Sequence, residues 1–224
     1  METTVSKEDY LKAIAEAETD GEPVIAATLV RWLKVTPAAV TMALRRLRRD
    51  GLALVRKRGR VELTAHGREI ADRIRFRHHL IERMLAEIFK MEWSKIHEEA
   101  ERLEHAVSAD FEERLIAKLG ANGVCPHGND IRGDGPSERR LRGLLVLGEL
   151  PAGSTAIIES VFERDRALLE YLDERGLHPG AGIRAVHHNP DGTIKFETGA
   201  SSVLLGAAAA AKIWVKPIRG PAIS

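Results

Sequence analysis

The run from Val35 to Leu63 constrains the fold more than any other part of the chain. Thr36 is a natural N-cap, and Pro37 suits the first helical position, where a missing N–H costs no hydrogen bond. Val40, Leu44 and Leu47 then recur at helical spacing, and Asp50-Gly51 marks the stop. Leu52-Ala53-Leu54-Val55 and Val61-Glu62-Leu63 follow as short strand-like runs, joined by Arg56-Lys57-Arg58-Gly59-Arg60. Upstream, Tyr10, Leu11, Ile14 and Ala15 form the apolar stripe of a first helix, which Ser6 can cap with Asp9 three residues on. Ile25 to Leu33 reads as a second short helix. Three helices closed by a cation-rich hairpin are the winged form of the helix-turn-helix, whose third helix enters the major groove of duplex DNA.

The overall charge does not add to that case. With 34 Lys and Arg against 33 Asp and Glu, the net charge is +1, so nucleic-acid binding has to come from local clustering. Arg45, Arg46, Arg48 and Arg49 on the third helix, with Arg56, Lys57, Arg58 and Arg60 on the wing, supply it. Arginine runs on helices are usually solvated faces. A basic helix running directly into a basic hairpin favours DNA. Sequence preference is then expected near Thr36, Ala38, Ala39, Thr41 and Met42 at the start of the third helix, and phosphate contact at wing cations such as Arg58 and Arg60.

Within its 224 residues the chain has a single cysteine, which excludes a disulfide framework and suits a reducing cytoplasm. The N-terminus lacks the apolar core of a signal peptide, and no apolar run is long enough to span a bilayer. A cytoplasmic protein without a membrane partner is expected.

From Thr64 to about Leu119 the pattern is helical throughout, with apolar residues at Ile70, Ile74, Leu80, Ile81, Met84, Leu85, Ile88 and Phe89. After a break near Met91-Glu92-Trp93 it resumes at Ile96, Ala100, Leu103 and Val107, then Phe111, Leu115 and Leu119. That is more apolar helix surface than one small domain buries, so a homodimer is expected. Between Gly120 and about Arg142, Gly, Pro, Asn and charge take over, as in a linker. Ala156 to Val161, Gly182 to His187, Thr193 to Glu197 and Lys212 to Val215 then read as strands of a small β-barrel, with a helix around Ala167 to Glu174. The alanine-rich stretch Val203 to Ala211 reads as core or as a packed helix end.

Three groups of metal-ligand residue types lie in the helical part. In Lys95-Ile96-His97-Glu98-Glu99-Ala100-Glu101-Arg102-Leu103-Glu104-His105, helical spacing puts Glu101, Glu104 and His105 on one face, with His97 one turn earlier. Two carboxylates and an imidazole are a usual set for Mn(II), Fe(II) or Zn(II). His78 and Glu82 stand one helical turn apart, and Cys125-Pro126-His127 belongs to a loop because of its proline. Taken singly, the first group could be a solvated acidic helix and Cys125 a small buried hydrophobe. Their concentration in one region argues for metal.

Glu8-Asp9-Tyr10-Leu11, Arg49-Asp50-Gly51-Leu52, Leu63-Thr64-Ala65-His66-Gly67, Arg77-His78-His79-Leu80 and Glu98-Glu99-Ala100-Glu101-Arg102-Leu103-Glu104-His105, in this order, resemble the diphtheria toxin repressor family of metal-dependent transcription regulators. The resemblance covers essentially the whole chain. It implies a mainly α protein with a small β domain: a winged helix-turn-helix over residues 1–75, a helical metal-binding and dimerisation domain over 76–128, a linker over 129–147, and an SH3-like barrel over 148–224. The iron-sensing branch has methionine and cysteine where this sequence has Asp9 and Glu101, so carboxylates here point to the manganese-sensing branch. The implied primary site is Asp9, Glu101, Glu104 and His105, with His78 nearby. Short manganese regulators carry a further glutamate where this chain has Lys12, which argues against their paired-metal cluster. Glu82, Cys125 and His127 match the separate second site of the longer members, with Asp165 or else Glu163 as the ligand from the barrel. His97 matches an ancillary ligand of the iron branch.

The resulting expectation is a Mn(II)-dependent regulator, acting as a homodimer on palindromic operator DNA and repressing metal-uptake genes. Its rivals are an Fe(II) sensor of the same family, a metal-dependent hydrolase, and a regulator that senses an organic ligand and holds metal structurally. An enzyme would need an open coordination position beside a cleft with a general base, and no residue pattern supplies one.

Overall fold

The computed structural model describes residues 5–199 and 201–218. The chain divides into two compact units. One comprises Met1–Ile81, Arg102–Asn122 and Ile131–Pro136, and the other Glu82–Glu101, Gly123–Asp130 and Ser137–Ser224.

The first unit opens with α1 (Val5–Thr19), α2 (Ala26–Leu33) and α3 (Pro37–Arg49), followed by the hairpin β1 (Ala53–Val55) and β2 (Val61–Leu63). Leu11, Ile14, Leu29, Val40, Leu47 and Val61 are buried together as its core. The local signals in Thr36-Pro37 act as expected: the Thr36 hydroxyl accepts the Ala39 N–H at 3.2 Å. Ser6 does not cap α1, because the helix already includes Val5. In the hairpin, Ala53 pairs with Leu63 and Val55 with Val61, antiparallel. The next helix, α4 (Ala65–Glu87), starts against β1 at Gly67. A Cβ there would lie 2.0 Å from the Leu52 carbonyl oxygen, so only glycine permits this approach.

Two more helices follow in the chain, α5 (Ile96–Leu103), which belongs to the second unit up to Glu101, and α6 (Ala109–Leu119) in the first. The unbroken helical run expected past Leu103 does not occur. Ser108 starts a new helix, its hydroxyl accepting the Phe111 N–H at 3.3 Å. Glu104 and His105 therefore sit in the intervening turn and not on the helical face that carries Glu101.

The second unit holds α7 (Pro136–Leu141, its first residue in the other unit) and α8 (Arg166–Asp173), with a six-stranded antiparallel sheet. Its strands are β3 (Leu145–Val146), β4 (Thr155–Val161), β5 (Gly182–His188), β6 (Ile194–Thr198), β7 (Ser201–Leu205) and β8 (Ile213–Ile218), in the spatial order β3-β8-β4-β5-β6-β7. No β3–β7 pairing occurs among the described residues, so the expected barrel is an open, curled SH3-like sheet. Register shifts between Ile158 and Ser160 and between Ala185 and His187 bend it. Leu147, Ile158, Leu169, Leu172, Phe196 and Val215 fill its core. The stretch Val203 to Ala211 divides between the end of β7 and the short helix α9 (Ala207–Ala210), with Gly206 at the N-cap. The glycine- and proline-rich stretch after Gly120 is packed, not loose: it buries Ile131 and Arg139, contains α7, and pairs Val124 with Asp130.

Candidate functional site

In the first unit, one donor atom each of Asp9, Glu104 and His105 lie within 4.8 Å of one another. Asp9 comes from α1, the other two from the turn after α5. His105 Nε2 is 2.8 Å from Asp9 Oδ1 and 3.4 Å from Glu104 Oε1, while its Nδ1 is 2.9 Å from Glu8 Oε2. Burial raises the Asp9 pKa, against the opposing pull of His105. The other oxygen of Glu104, Oε2, accepts from Lys12 Nζ at 2.7 Å and lies 2.6 Å from His78 Nδ1. Lys12 Nζ also approaches His78 Nδ1 at 2.9 Å, and all three side chains are buried. Burial alone would push the Glu104 carboxyl up. The Lys12 ammonium and His78 overcome it and hold the carboxyl at about 2. Lys12 thus provides a resident cation on one side of Glu104, and the Asp9–His105 cluster lies on the other. Arg77 pins the turn, donating from Nη1 to the Glu104 carbonyl at 3.2 Å and from Nε to Glu112 at 2.6 Å.

A second cluster lies in the second unit. Donor atoms of Glu82, His97 and Glu163 come within 4.8 Å of one another, as do those of Glu82, Cys125 and Glu163. His97 Nδ1 is 3.2 Å from Glu82 Oε1 and 3.7 Å from Glu163 Oε1, and the Cys125 thiol donates to Glu163 Oε2 at 3.4 Å. His127 Nε2 donates to the Trp93 carbonyl at 3.3 Å. Its buried Nδ1 makes no hydrogen bond among the described residues and points at Glu82 Oε1, 3.4 Å away, and Glu163 Oε2, 3.7 Å away. An imidazole nitrogen and two carboxylates brought this close need a proton or a metal ion among them. That donor set fits a divalent ion. The loop carrying Cys125 and His127 is fastened to β4, with Val161 N–H donating to the His127 carbonyl at 2.9 Å and Asn129 Nδ2 to Glu163 at 2.6 Å. A Cβ at Gly128 would lie 1.9 Å from the Glu159 carbonyl oxygen, and its φ is +83°, so this approach requires glycine twice over.

Two expected ligands are placed differently. Asp165 caps α8, accepting the Leu168 N–H at 3.1 Å, and pairs with Lys212 at 2.6 Å. Glu163, named above as the other option, is the side chain that reaches the cluster. Glu101 belongs to the second unit, with Oε1 3.5 Å from His97 Nε2 and 3.3 Å from Arg164. Glu8 carried no expectation at all.

The buried His97 carries a pH consequence. Burial opposes its charge, but Glu101, Glu82 and Glu163 outweigh burial and raise its pKa from 6.5 to about 9. A folded-state value above the unfolded one means the stabilisation is complete below pH 6.5 and is lost as pH rises through about 9. Metal-free protein should therefore show a midpoint in urea that falls from pH 6.5 to pH 9, and His97→Gln should flatten that slope.

On the DNA-binding candidate face, α3 buries Val40, Ala43 and Leu47 and leaves Thr36, Ala38, Thr41, Met42, Arg45, Arg46 and Arg49 exposed, with Ala39 partly so. Arg58 and Arg60 on the wing are exposed as well, and Arg58 adopts a left-handed φ of 60° at its tip. None of the described helices is long and apolar enough to cross a membrane.

A winged helix-turn-helix with a donor cluster on its first helix, followed by a second donor cluster and a curled β unit, defines a metal-responsive DNA-binding regulator. Residues 2–61 match the family described as "Iron dependent repressor, N-terminal DNA binding domain", residues 64–133 "Iron dependent repressor, metal binding and dimerisation domain", and residues 145–217 the "FeoA domain". The iron-dependent repressor IdeR of Mycobacterium leprae is 33% identical over 198 residues, 84% of this chain and 86% of its own length. A solved structure described as a manganese-dependent transcriptional repressor in complex with manganese superposes with a TM-score of 0.83 at 29% identity, covering 95% of this chain and all of that one. The structure of the manganese regulator SloR gives 0.79 at 30% identity, covering 95% and 98%. The chain belongs to the diphtheria toxin repressor family of metal-dependent, DNA-binding transcriptional repressors, which are not enzymes.

Proposed function

We propose that this repressor responds to Mn(II), binds a palindromic operator as a homodimer and acts in the cytoplasm. The observation that carries the choice of metal is the donor chemistry of the first cluster: Asp9, Glu104 and His105 offer oxygen and nitrogen and no sulfur. His78 backs Glu104 from the side away from the ion. When bound, the ion supplies a positive charge that ties α1 of the DNA-binding helices to the turn after α5. Glu82, Cys125, His127 and Glu163, with His97, form the second ion site. There the Cys125 thiol, pushed up by burial and by Glu82 and Glu163, has to give up its proton to serve. Residues 1–75 read DNA, 76–128 hold metal and dimerise, 129–147 connect, and 148–224 carry the Glu163 ligand. The exposed Ile88 and Phe89 at the end of α4 suit the dimer interface.

The manganese relatives support this reading, and the iron-dependent repressors support an Fe(II) alternative, since the same donors accept both ions. Anaerobic mobility-shift titrations decide between them. At equal, saturating occupancy Mn(II) should drive full operator binding and Fe(II) less, and full binding with Fe(II) but not with Mn(II) would assign iron.

The DNA face is tested separately. Arg58→Ala and Arg60→Ala should weaken binding to any duplex and lower the slope of log affinity against log salt by roughly one per lost phosphate contact. Substitutions at Thr41 and Met42 should instead change operator preference. Unchanged binding after both sets would move the DNA surface elsewhere.

A further inference from the structure

We propose that Glu8 is a positioning residue for the first ion site, gripping His105 Nδ1 so that Nε2 faces Asp9 and Glu104. This rests on reading Asp9, Glu104 and His105 as an ion site. An imidazole offers an ion only one nitrogen. The proton on the other nitrogen, and the group that accepts it, set the tautomer and the direction of the ring.

The geometry around His105 assigns the two nitrogens. Glu8 Oε2 stands 2.9 Å from Nδ1, while Asp9 Oδ1 and Glu104 Oε1 stand 2.8 and 3.4 Å from Nε2. Glu8 and Asp9 are consecutive on α1, and consecutive helical side chains diverge, so they do not converge on one point. Here they take opposite edges of one ring. Asp9 shares the donor side with Glu104, and Glu8 takes the far side, outside the group of converging donor atoms. The side chains of Glu8 and His105 are both largely covered, 21% and 14% exposed, so the contact is shielded from competing water. His105 lies in a turn after α5 has ended, with no helix to hold its ring. Glu8 supplies that constraint from another element. A carboxylate accepting Nδ1–H also raises the basicity of Nε2 and strengthens it as a ligand.

A purely structural role, such as an acidic residue in the first turn of α1, would affect stability but not the ion. The test therefore reads the ion and the ring. Wild type, Glu8→Gln, Glu8→Leu and His105→Ala are compared by equilibrium dialysis against Mn(II), with circular dichroism to check folding. His105→Ala should lose one ion per subunit. Glu8→Leu should keep that ion but bind it about 10–100-fold more weakly. Glu8→Gln, whose amide oxygen still accepts Nδ1–H, should bind it more tightly than Glu8→Leu. In Zn(II)-loaded wild type, long-range proton–nitrogen spectra of the histidines should show the His105 proton on Nδ1. Wild-type affinity in Glu8→Leu, or a proton on Nε2 with the ion on Nδ1, would overturn the assignment of Glu8 while leaving the site intact. An unchanged ion count in His105→Ala would overturn the site itself, and the role of Glu8 with it.

Discussion

Asp9→Ala and His105→Ala should each abolish metal-dependent operator binding at ion concentrations that saturate the wild type, and each should leave a folded protein. Asp9 is partly exposed at the start of α1 and His105 lies in a turn, so neither truncation opens a cavity in the core. What each removes is one of three converging donors. The loss should exceed the about 10–100-fold typical of groups that only support a ligand. The two positions also belong to different elements, α1 and the turn after α5, so losing either unties the DNA-binding helices from that turn. Mobility shifts in saturating Mn(II), with denaturation curves for both variants, would check this. A variant that still binds operator in a metal-dependent way would place the controlling ion elsewhere.

Lys12→Met should destabilise the protein by about 3–5 kcal/mol, the usual result of removing one partner of a buried ion pair. Lys12 and Glu104 side chains are 3% and 2% exposed and 2.7 Å apart, with His78 fully buried beside them. Methionine fits the space but leaves the Glu104 carboxylate in a dry site with only imidazoles beside it, His78 at 2.6 Å and His105 at 3.4 Å. Adding Glu104→Gln removes that stranded charge and should recover much of the loss, which a double-mutant cycle measures directly. A cost below about 1 kcal/mol for the single variant would show that the pair is hydrated or replaceable.

Both predictions depend on contacts that local pattern could not reveal. The Thr36 cap, the Pro37 start and the basic hairpin were legible because each is settled within a few residues. Glu8 was not, and neither was the direct contact of Lys12 and His78 with Glu104, since these partnerships cross from α1 to α4 and to the turn after α5, and no periodicity carries that information. Asp165 lies away from the second cluster, which Glu163 reaches, for a local reason. Asp165 precedes Arg166-Ala167-Leu168 as an N-cap, and that capping signal was available in the sequence. The helix break at Glu104 was also signalled, by Ser108 as a cap, but the apolar spacing through Val107 and Phe111 masked it. β7 was hidden in an alanine-rich stretch because its strand character comes from pairing with β6, in which Phe196 faces Val203.

An ion that converts this chain into its DNA-binding form must change its affinity for the operator. Operator affinity of the wild-type protein, measured by fluorescence anisotropy at one fixed salt concentration in saturating Mn(II) and again in chelator, tests it most directly. Binding should be tight and sequence-specific in manganese and only weak, salt-sensitive and non-specific in chelator. Equal operator affinity in the two conditions would contradict it.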